Sequence, residues 1–321
     1  MPDIKYIPIS HLDESVMLPL MEEEARIWMT DLCWDYSVVQ QILLSFIRKK
    51  TLPGYAAFNV SDNRLVGYIF FLANWTKGSI GALYTTPTTP PDKAQAIADN
   101  LVELAIACFQ GSSDIRRIET QMFPFHGQNY ARIFEKYGFR YYPRVYLVRN
   151  IDADVSEKEP AAPVKIIPWD SALISGAAAM TAESYRNHND YEILEDYHTP
   201  VNCENYLRGL ITSPGCGAFL PDASFMCLDA HGLPCGYAVC SRISDGRALI
   251  PQIATHPAWQ GHGLGAMLIN HCLRRLRTMN FHSISLVVTQ ENSRANEWYR
   301  RMGFQPCREF GAFIWNRPHF S

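Results

Sequence analysis

The two halves of this chain share four short segments in the same order, and this repeat most constrains the possible fold. The pairs are Ile4-Lys5-Tyr6-Ile7-Pro8 with Val164-Lys165-Ile166-Ile167-Pro168, Val66-Gly67-Tyr68-Ile69 with Cys235-Gly236-Tyr237-Ala238, Thr85-Thr86-Pro87 with Thr255-His256-Pro257, and Lys136-Tyr137-Gly138-Phe139 with Arg301-Met302-Gly303-Phe304. Any one of these matches could arise by chance, but four matches in the same order predict two copies of one fold. The length of 321 residues agrees, because a single domain usually has about 100–200 residues.

One stretch of unusual composition predicts the boundary between the copies. Residues 152–163, DADVSEKEPAAP, are acidic, contain proline and lack apolar periodicity, as is typical of a linker. The sequence therefore predicts a first domain over 1–151 and a second domain over 164–321.

Both halves also show the same order of predicted elements. A strand leads into helical, aromatic-rich sequence, and two apolar runs joined by a turn follow. A further strand, an amphipathic helix, a strand, a short helix and closing strands complete each half; in the second half the helix covers 263–279. This mixture predicts two three-layer α/β domains, each with a mixed sheet covered by helices on both faces.

Composition excludes several classes of function. Lys and Arg number 29 against 32 Asp and Glu, a net charge of −3, so a nucleic-acid partner is not expected. No apolar run reaches the roughly 18 residues of a transmembrane helix, and the first ten residues do not resemble a signal peptide, so we expect a cytoplasmic protein without a membrane partner. The nine cysteines lack a C-x-x-C pair and the ten histidines lack ligand spacing, which favours reduced thiols and no metal.

A glycine-rich segment of the second half is suited to binding an anion. Residues 253–268, IATHPAWQGHGLGAML, are predicted to form the end of a strand, a loop and the start of a helix. Closely spaced glycines that enter a helix expose backbone N–H groups, and the helix dipole adds partial positive charge. A Cβ at these positions would hold a phosphate or pyrophosphate away from the amides.

Taken by itself, this loop leaves several interpretations open. A structural turn that is merely rich in glycine is one of them. Gly261-x-Gly263-x-x-Ala266 also fits a dinucleotide-binding pattern, but that pattern requires an acidic residue about 20 positions later, and none lies between Gly246 and Gln290. A Walker loop is excluded because no Lys followed by Ser or Thr comes after the glycines.

Two motifs together resemble the GCN5-related N-acetyltransferase (GNAT) family. Gln260-x-x-Gly263-x-Gly265 fits the Q/R-x-x-G-x-G/A loop of that family. Further along, Asn292-x-x-Ala295-x-x-Trp298-Tyr299-x-x-x-Gly303-Phe304 resembles N-x-x-A-x-x-L-Y-x-x-x-G-F, with Trp298 in place of leucine. Each motif alone is weak, but their spacing fits a helix, a turn and a strand. The resemblance covers 164–321 and implies an acetyltransferase that uses acetyl coenzyme A.

The resemblance also implies the residues that bind this co-substrate. The loop amides would hold the pyrophosphate, and the strand before the loop would pair with the pantetheine arm and polarise the thioester carbonyl. Asn292 matches an asparagine that contacts the arm, and it could also cap the following helix. The implied binding residues are Ile253, Ala254, Thr255, Gln260, Gly261, His262, Gly263, Leu264, Gly265, Ala266 and Asn292.

Tyr299 matches the tyrosine that protonates the departing thiolate, so the resemblance implies that it is the general acid. The alternative is a core tyrosine, because it shares a helical stripe with Ala295, Trp298 and Met302. No base is predicted. His256 lies at the exit of the strand, and the other candidates lie in 185–198, which lines the acceptor pocket in this family but could equally be a solvated loop.

The first half lacks the corresponding features. In register, residues 87–93, PTTPPDK, stand opposite the glycine loop, and prolines have no N–H to offer. Phe134 stands opposite Tyr299, and Gly127 stands opposite Asn292. The first half is therefore predicted to be a degenerate acetyltransferase domain, kept for structure, for pocket walls or for partner binding.

The leading hypothesis for function is the transfer of acetyl from acetyl coenzyme A to a primary amine of a small molecule or a protein N-terminus. Direct attack is expected, because no Cys or Ser lies in a nucleophile elbow. A second hypothesis is a coenzyme A sensor that binds without turnover, since no base is evident, and a third is transfer of a longer acyl group. The sequence leaves the acceptor and the oligomeric state open.

Overall fold

A computed structural model describes residues 3–123, 129–152 and 163–318. Nearly all of the predicted linker 152–163, and also Gly127, lie outside the described residues. Two compact units make up the chain. The first contains the residues up to 144 and those from 309 onward, and the second contains residues 145–308.

Six strands and four helices precede the predicted linker in the described part of the chain. They are β1 (Ile4–Pro8), α1 (Glu14–Leu32), α2 (Ser37–Arg48), β2 (Gly54–Asn59), β3 (Leu65–Asn74), β4 (Lys77–Thr85), α3 (Pro91–Gln110), β5 (Arg117–Met122), α4 (Ala131–Lys136) and β6 (Arg140–Asn150).

The described residues after the linker form seven strands and five helices. They are β7 (Lys165–Pro168), α5 (Ile174–Tyr185), α6 (Asn189–Ile193), α7 (Pro200–Thr212), β8 (Ala218–Phe219), β9 (Phe225–Leu228), β10 (Pro234–Ser244), β11 (Arg247–Thr255), α8 (Leu264–Thr278), β12 (Ser283–Thr289), α9 (Ser293–Arg301) and β13 (Gln305–Asn316).

The strands of each unit form a mixed sheet. The order in the first unit is β1-β2-β3-β4-β5-β13, and the order in the second is β6-β12-β11-β10-β9-β7, with β8 paired to β10. In each unit one pair of neighbours is parallel, β4 with β5 and β11 with β12, while the adjoining strands run antiparallel. A parallel pair needs a crossover connection, and the long helices α3 and α8 provide it.

Alternating side chains along the strands face two different layers of helices. In the first unit Tyr68 packs with α1 and α2, whereas its neighbour Ile69 packs with α3. In the second unit Tyr237 packs with α5 and α7, whereas Ala238 packs with α8. Because successive side chains of a strand point to opposite faces, both faces of each sheet are covered. The predicted three-layer α/β class is confirmed.

Each compact unit contains a strand from a distant part of the sequence. In the first unit, residues 311–316 of β13 pair antiparallel with β5, and Phe313 stacks on Phe134 at a ring-centroid distance of 4.3 Å. In the second unit, the end of β6 joins the core, and Tyr146 donates to Ser285 Oγ at 2.6 Å. The boundaries of the compact units therefore differ from those of the sequence repeat. The predicted domain boundaries of 1–151 and 164–321 stay a prediction.

The last helix of each unit ends in the same turn. Phe139 N donates to Phe134 O at 3.1 Å across Gly138, which has a φ of +78°. Phe304 N likewise donates to Tyr299 O at 3.0 Å across a glycine with a φ of +84°. The matching geometry places Phe134 and Tyr299 at equivalent positions of the two units.

No helix in the described ranges is both long and apolar enough to cross a membrane.

Replacing Phe313 by alanine tests the contribution of β13 to the first unit. Its ring is 2% exposed and stacks on Phe134, so Phe313→Ala is expected to lower the free energy of unfolding by about 3–5 kcal/mol. The matched control Phe46→Ala alters a ring that is 40% exposed, and we expect a loss below about 1 kcal/mol. Urea denaturation of both variants measures the difference, and equal losses would contradict the packing of β13 described above.

Candidate active site

The parallel strands β11 and β12 are paired only where they begin. Arg247, Ala248 and Leu249 lie opposite Ser283, Ile284 and Ser285, and no further pair follows although both strands continue. The register between β10 and β11 shifts just beyond this point, at residues 250–251, where Pro251 has no N–H to donate. A gap therefore opens between residues 250–255 of β11 and residues 286–289 of β12.

Backbone groups of β11 face this gap. His256 N donates to Cys235 O of β10 at 3.0 Å, and because hydrogen bonds alternate along a strand, the N–H and C=O groups of Ile253 and Thr255 point away from β10. Two hydroxyl groups of α5 confirm this direction. Ser184 Oγ donates to Thr255 O at 3.0 Å, and Tyr185 donates to Ile253 O at 3.2 Å.

The glycines of the loop between β11 and α8 set its backbone conformation. Gly261 and Gly263 have φ values of +83° and +84°, in the left-handed region that other residues rarely adopt. A Cβ built on either glycine meets no other atom within 4 Å. These two positions therefore require glycine because of φ, and open space lies beside both of them.

A run of backbone donors follows from this conformation. Within the described part of the chain, the N–H groups from Gly261 to Ala266 have no hydrogen-bond acceptor, and the next amide, Met267 N, is the first to bond, to Gly263 O at 3.1 Å. The first turn of any helix leaves such donors unsatisfied, and here two loop residues extend the run. The dipole of a helix of 15 residues adds partial positive charge at the same end, so the arrangement fits an anion.

Gly265 brings α8 close to α9. A Cβ on Gly265 would lie 3.0 Å from Cη2 of Trp298 and 3.9 Å from Oγ1 of Thr255. Here the absence of a side chain makes room for the indole ring that replaces the leucine of the family motif. The end of β11, the start of α8 and the helix that carries Tyr299 therefore meet at one point.

The remaining loop residues have varied surroundings. Gln260 Nε2 donates to Thr255 O at 3.3 Å and so ties the loop to β11. His262 is exposed, with Nδ1 at 3.2 Å from Gln260 O, while Leu264 is buried in the core. Ala254 is also buried, on the face of the sheet that packs with α5 and α7. The backbone N–H of Leu264 belongs to the run of donors, whereas the N–H and C=O groups of Ala254 face β10, because hydrogen bonds alternate along the strand.

Tyr299 lies on α9 directly after Trp298, and its ring belongs to the core of the second unit. The residue is 7% exposed, and its ring contacts Trp298 and Phe304 at centroid distances of 4.7 and 5.7 Å. Among the described residues its hydroxyl makes no hydrogen bond. Burial, and secondly the negative charge of Asp190, raise the pKa of Tyr299 well above the ordinary value of a phenol.

The start of α6 is bound to the connection between β12 and α9. The Asp190 carboxylate accepts from the Thr289 hydroxyl, and Asn292 Nδ2 lies 2.6 Å from His188 Nε2. Asn292 Oδ1 also accepts from Ala295 N at 3.0 Å, so this asparagine caps α9 as the sequence suggested. The Asp190 side chain is only 14% exposed, and this part of 185–198 is therefore not a solvated loop.

A buried glutamine links three tyrosines beside the gap. Tyr197 donates to Gln252 Oε1 at 2.8 Å, and Tyr206 approaches the same oxygen at 3.4 Å. Gln252 Nε2 donates to the Tyr185 hydroxyl at 3.1 Å, and that hydroxyl donates to Ile253 O. Burial raises the pKa of each of these tyrosines, so all three remain protonated donors at neutral pH.

The contacts of His256 argue against a role as base. Its Nδ1 accepts from Ala258 N at 3.2 Å and so caps a short turn, and its Nε2 lies 3.3 Å from the Glu183 carboxylate. Both ring nitrogens are therefore engaged in contacts that stabilise the chain after β11.

Gln252 and Thr289 were not predicted from the sequence, whereas Asp190 was one of several candidate bases in 185–198. Gln252 is the one polar side chain between Leu249 and Thr255, a signal that a search for titratable groups overlooks. Within the described ranges no group of three or more His, Cys, Asp or Glu side chains could hold a metal ion. The expected lack of a metal stays a prediction.

Comparison with known proteins identifies the domain to which this site belongs. Residues 184–304 match the acetyltransferase (GNAT) family. A stretch of 90 residues is 32% identical to an uncharacterised N-acetyltransferase of Methanocaldococcus jannaschii, and this match spans 26% of the present chain and 39% of that relative.

Solved structures resemble the chain over nearly its whole length. A GCN5-related N-acetyltransferase from Sphaerobacter thermophilus aligns with a TM-score of 0.66 over 98% of this chain and 96% of its own, at 13% identity. A tandem GNAT protein from the clavulanic acid biosynthesis pathway aligns with a TM-score of 0.58 over 99% of this chain and 100% of its own, at 12% identity. At these identities the likeness shows the fold. The family match concerns residues 184–304, which lie within the second unit.

Replacing Gly263 by alanine tests the backbone conformation of the loop. The left-handed φ penalises any Cβ, so Gly263→Ala is expected to lower the free energy of unfolding by about 1–2 kcal/mol. Gly209 is a matched control, because it also has open space around its Cβ position but lies inside α7 with an ordinary φ. Gly209→Ala should stabilise the protein by about 0.5–1 kcal/mol. Changes of the same sign in urea denaturation would contradict the assigned loop conformation.

Proposed function

We propose that the second unit transfers an acetyl group from acetyl coenzyme A to a primary amine. The observation that carries this proposal is the run of amides from Gly261 to Ala266 that lack an acceptor among the described residues, at the start of α8 and close to the helix that carries Tyr299. The match of residues 184–304 to the acetyltransferase (GNAT) family agrees with acetyl transfer in general. The choice of acetyl coenzyme A and of an amine acceptor rests on the chemistry that these residues could perform.

The residues at the site fit acetyl coenzyme A. A diphosphate consists of acceptor oxygens and negative charge, which complement consecutive N–H donors at a helix N-terminus. The amides of Ile253 and Thr255, which face the gap, would hold the peptide-like pantetheine arm as a strand does. Gln260 and Asn292 would line the two sides of this path. Gly265 would keep α8 and α9 close enough to bind one ligand together.

In this mechanism acetyl coenzyme A supplies an activated acetyl group as a thioester. The amide of β11 nearest the thioester would polarise its carbonyl, and one such donor contributes about 3–4 kcal/mol to transition-state stabilisation. Tyr299 would donate its proton to the departing sulfur. The raised pKa of Tyr299 keeps the phenol protonated at neutral and mildly alkaline pH, and so maintains a donor there.

The cysteines of the second unit favour direct attack by the amine. Burial raises the pKa of Cys216 and Cys235 to about 11 and that of Cys227 to about 12. A thiol with such a pKa has almost no thiolate at neutral pH and is a poor nucleophile. These groups therefore do not support a covalent acyl-enzyme.

We infer that the first unit has lost coenzyme A binding. Its helix α3 begins at Pro91 after Pro90, and neither residue has an N–H to offer an anion. Phe134, at the position equivalent to Tyr299, is fully buried and has no hydroxyl. The first unit would then be a degenerate acetyltransferase domain, kept for structure, for pocket walls or for partner binding.

Calorimetric titration with acetyl coenzyme A tests the binding site. We expect one molecule to bind per chain, and Gly263→Ala to weaken binding about tenfold or more, because loss of one hydrogen bond to a charged group costs about 1.5–3 kcal/mol. Gly209→Ala, which alters a helix outside the site, should bind as the unchanged protein does. Two molecules per chain would overturn the loss of the first site. Unchanged affinity in Gly263→Ala would overturn the loop as the anion site.

Replacing Tyr299 by phenylalanine tests the proton donor. Tyr299→Phe should lower kcat about 100-fold or more and leave the KM for acetyl coenzyme A unchanged. Its free energy of unfolding should stay near that of the unchanged protein, because the hydroxyl makes no hydrogen bond among the described residues. Release of free thiol with a panel of amines measures the rate. An unchanged kcat would overturn the role of Tyr299, and binding without thiol release for any amine would favour a coenzyme A sensor instead.

A further inference from the structure

We propose that Asp190 binds the ammonium group of the acceptor and takes the first proton that its nitrogen must lose. The acceptor is then a cationic primary amine and not a neutral nucleophile. This inference rests on the proposed acetyl transfer, and it assigns the acceptor class and the base that the sequence left open.

The position of Asp190 follows from two hydrogen bonds on opposite sides of the gap. At the end of α5, Tyr185 donates to Ile253 O of β11 at 3.2 Å. At the start of α6, Asp190 accepts from the hydroxyl of Thr289, the last residue of β12. The short connection from Tyr185 to Asp190 therefore crosses from one unpaired strand to the other, and the carboxylate lies at the β12 side of the gap.

Neighbouring contacts hold the carboxylate in place. Asp190 N donates to His188 Nδ1 at 3.1 Å, and Asn292 Nδ2 lies 2.6 Å from the other ring nitrogen. Asn189 Nδ2 donates to Glu291 Oε2 at 3.1 Å. Three successive residues at the start of α6 are thus bound to the connection between β12 and α9. A carboxylate fixed from several sides can direct an oxygen towards a bound nitrogen without a loss of side-chain freedom.

Three tyrosines lie within the electrostatic reach of Asp190. Its charge contributes to the raised pKa of Tyr185, Tyr197 and Tyr299, after burial as the largest cause. A partly buried carboxylate favours a cation, since it attracts positive charge more strongly where water is partly excluded.

The proton balance of the reaction requires two acceptors. Asp190 takes the first proton from the ammonium, which leaves a neutral amine with a free electron pair. As the nitrogen–carbon bond forms and the carbon–sulfur bond breaks, Tyr299 gives its proton to the sulfur and recovers one from the nitrogen. Asp190 then releases its proton to water. The products are an amide, free coenzyme A thiol and one proton.

The discriminating experiment compares two nucleophiles on the full chain. An alkylamine is protonated at neutral pH and needs both charge recognition and deprotonation, whereas an alkoxyamine is uncharged and needs neither. For Asp190→Asn we expect kcat/KM to fall about 100-fold or more with the alkylamine and less than about tenfold with the alkoxyamine. Asp190→Glu should recover part of the alkylamine rate.

Three further measurements separate this role from a structural one. The affinity of Asp190→Asn for acetyl coenzyme A should equal that of the unchanged protein. Thr289→Val, which removes the hydroxyl that holds the carboxylate, should lower the alkylamine rate selectively but by a smaller factor. Asp245→Asn, an equivalent change at an exposed turn, should alter neither rate.

Several results would overturn the inference. An unchanged alkylamine rate in Asp190→Asn would do so, and so would equal losses with both nucleophiles at unchanged coenzyme A affinity. In either case the proposed acetyl transfer would stand, because the unchanged protein would still release thiol. Absence of thiol release from the unchanged protein with both nucleophiles would overturn the acetyl transfer itself, and the role of Asp190 with it.

Discussion

The loss of pairing between β11 and β12 after Leu249 is the constraint on which the candidate site depends. Two parallel strands side by side would satisfy each other's backbone groups and leave no path for a ligand. The register shift at residues 250–251, with a proline in the strand, ends that pairing and turns the amides of Ile253 and Thr255 towards open space. The helix that follows begins with N–H donors that also lack acceptors among the described residues. The site is thus a continuous line of backbone groups that a ligand could satisfy.

A structure with an unpaired strand edge needs another means of holding its two sides at a fixed spacing. The connection between α5 and α6 provides it, because Tyr185 is bound to β11 while Asp190 is bound to β12. Gly265 and Trp298 perform the same task on the side of α8 and α9. The width of the gap therefore depends on residues of four helices as well as on the sheet.

The sequence predicted the local features of the site well and the long-range ones poorly. The glycine loop and the motif around Tyr299 can be recognised in the sequence because each lies within one short segment. The glycines of the loop also indicate the backbone conformation that it adopts. The bond between Asp190 and Thr289 joins residues 99 positions apart, and an ordinary aspartate and threonine give no sign of it. The anion-binding role of Gly265 stays a prediction, and the room that Gly265 makes for Trp298 is an additional contact that the sequence did not reveal. The repeat likewise predicted similar strands in each half, but similarity does not tell which sheet the last strand joins.

That last strand has a consequence for synthesis of the protein. A chain emerges from the ribosome with its N-terminus first, and a domain usually folds once its own residues have appeared. The first unit is completed later, because within the described residues the edge of β5 pairs with residues 311–316. Until those residues have been synthesised, β5 lacks the strand that pairs with it in the folded protein, and its free N–H and C=O groups can pair with another strand.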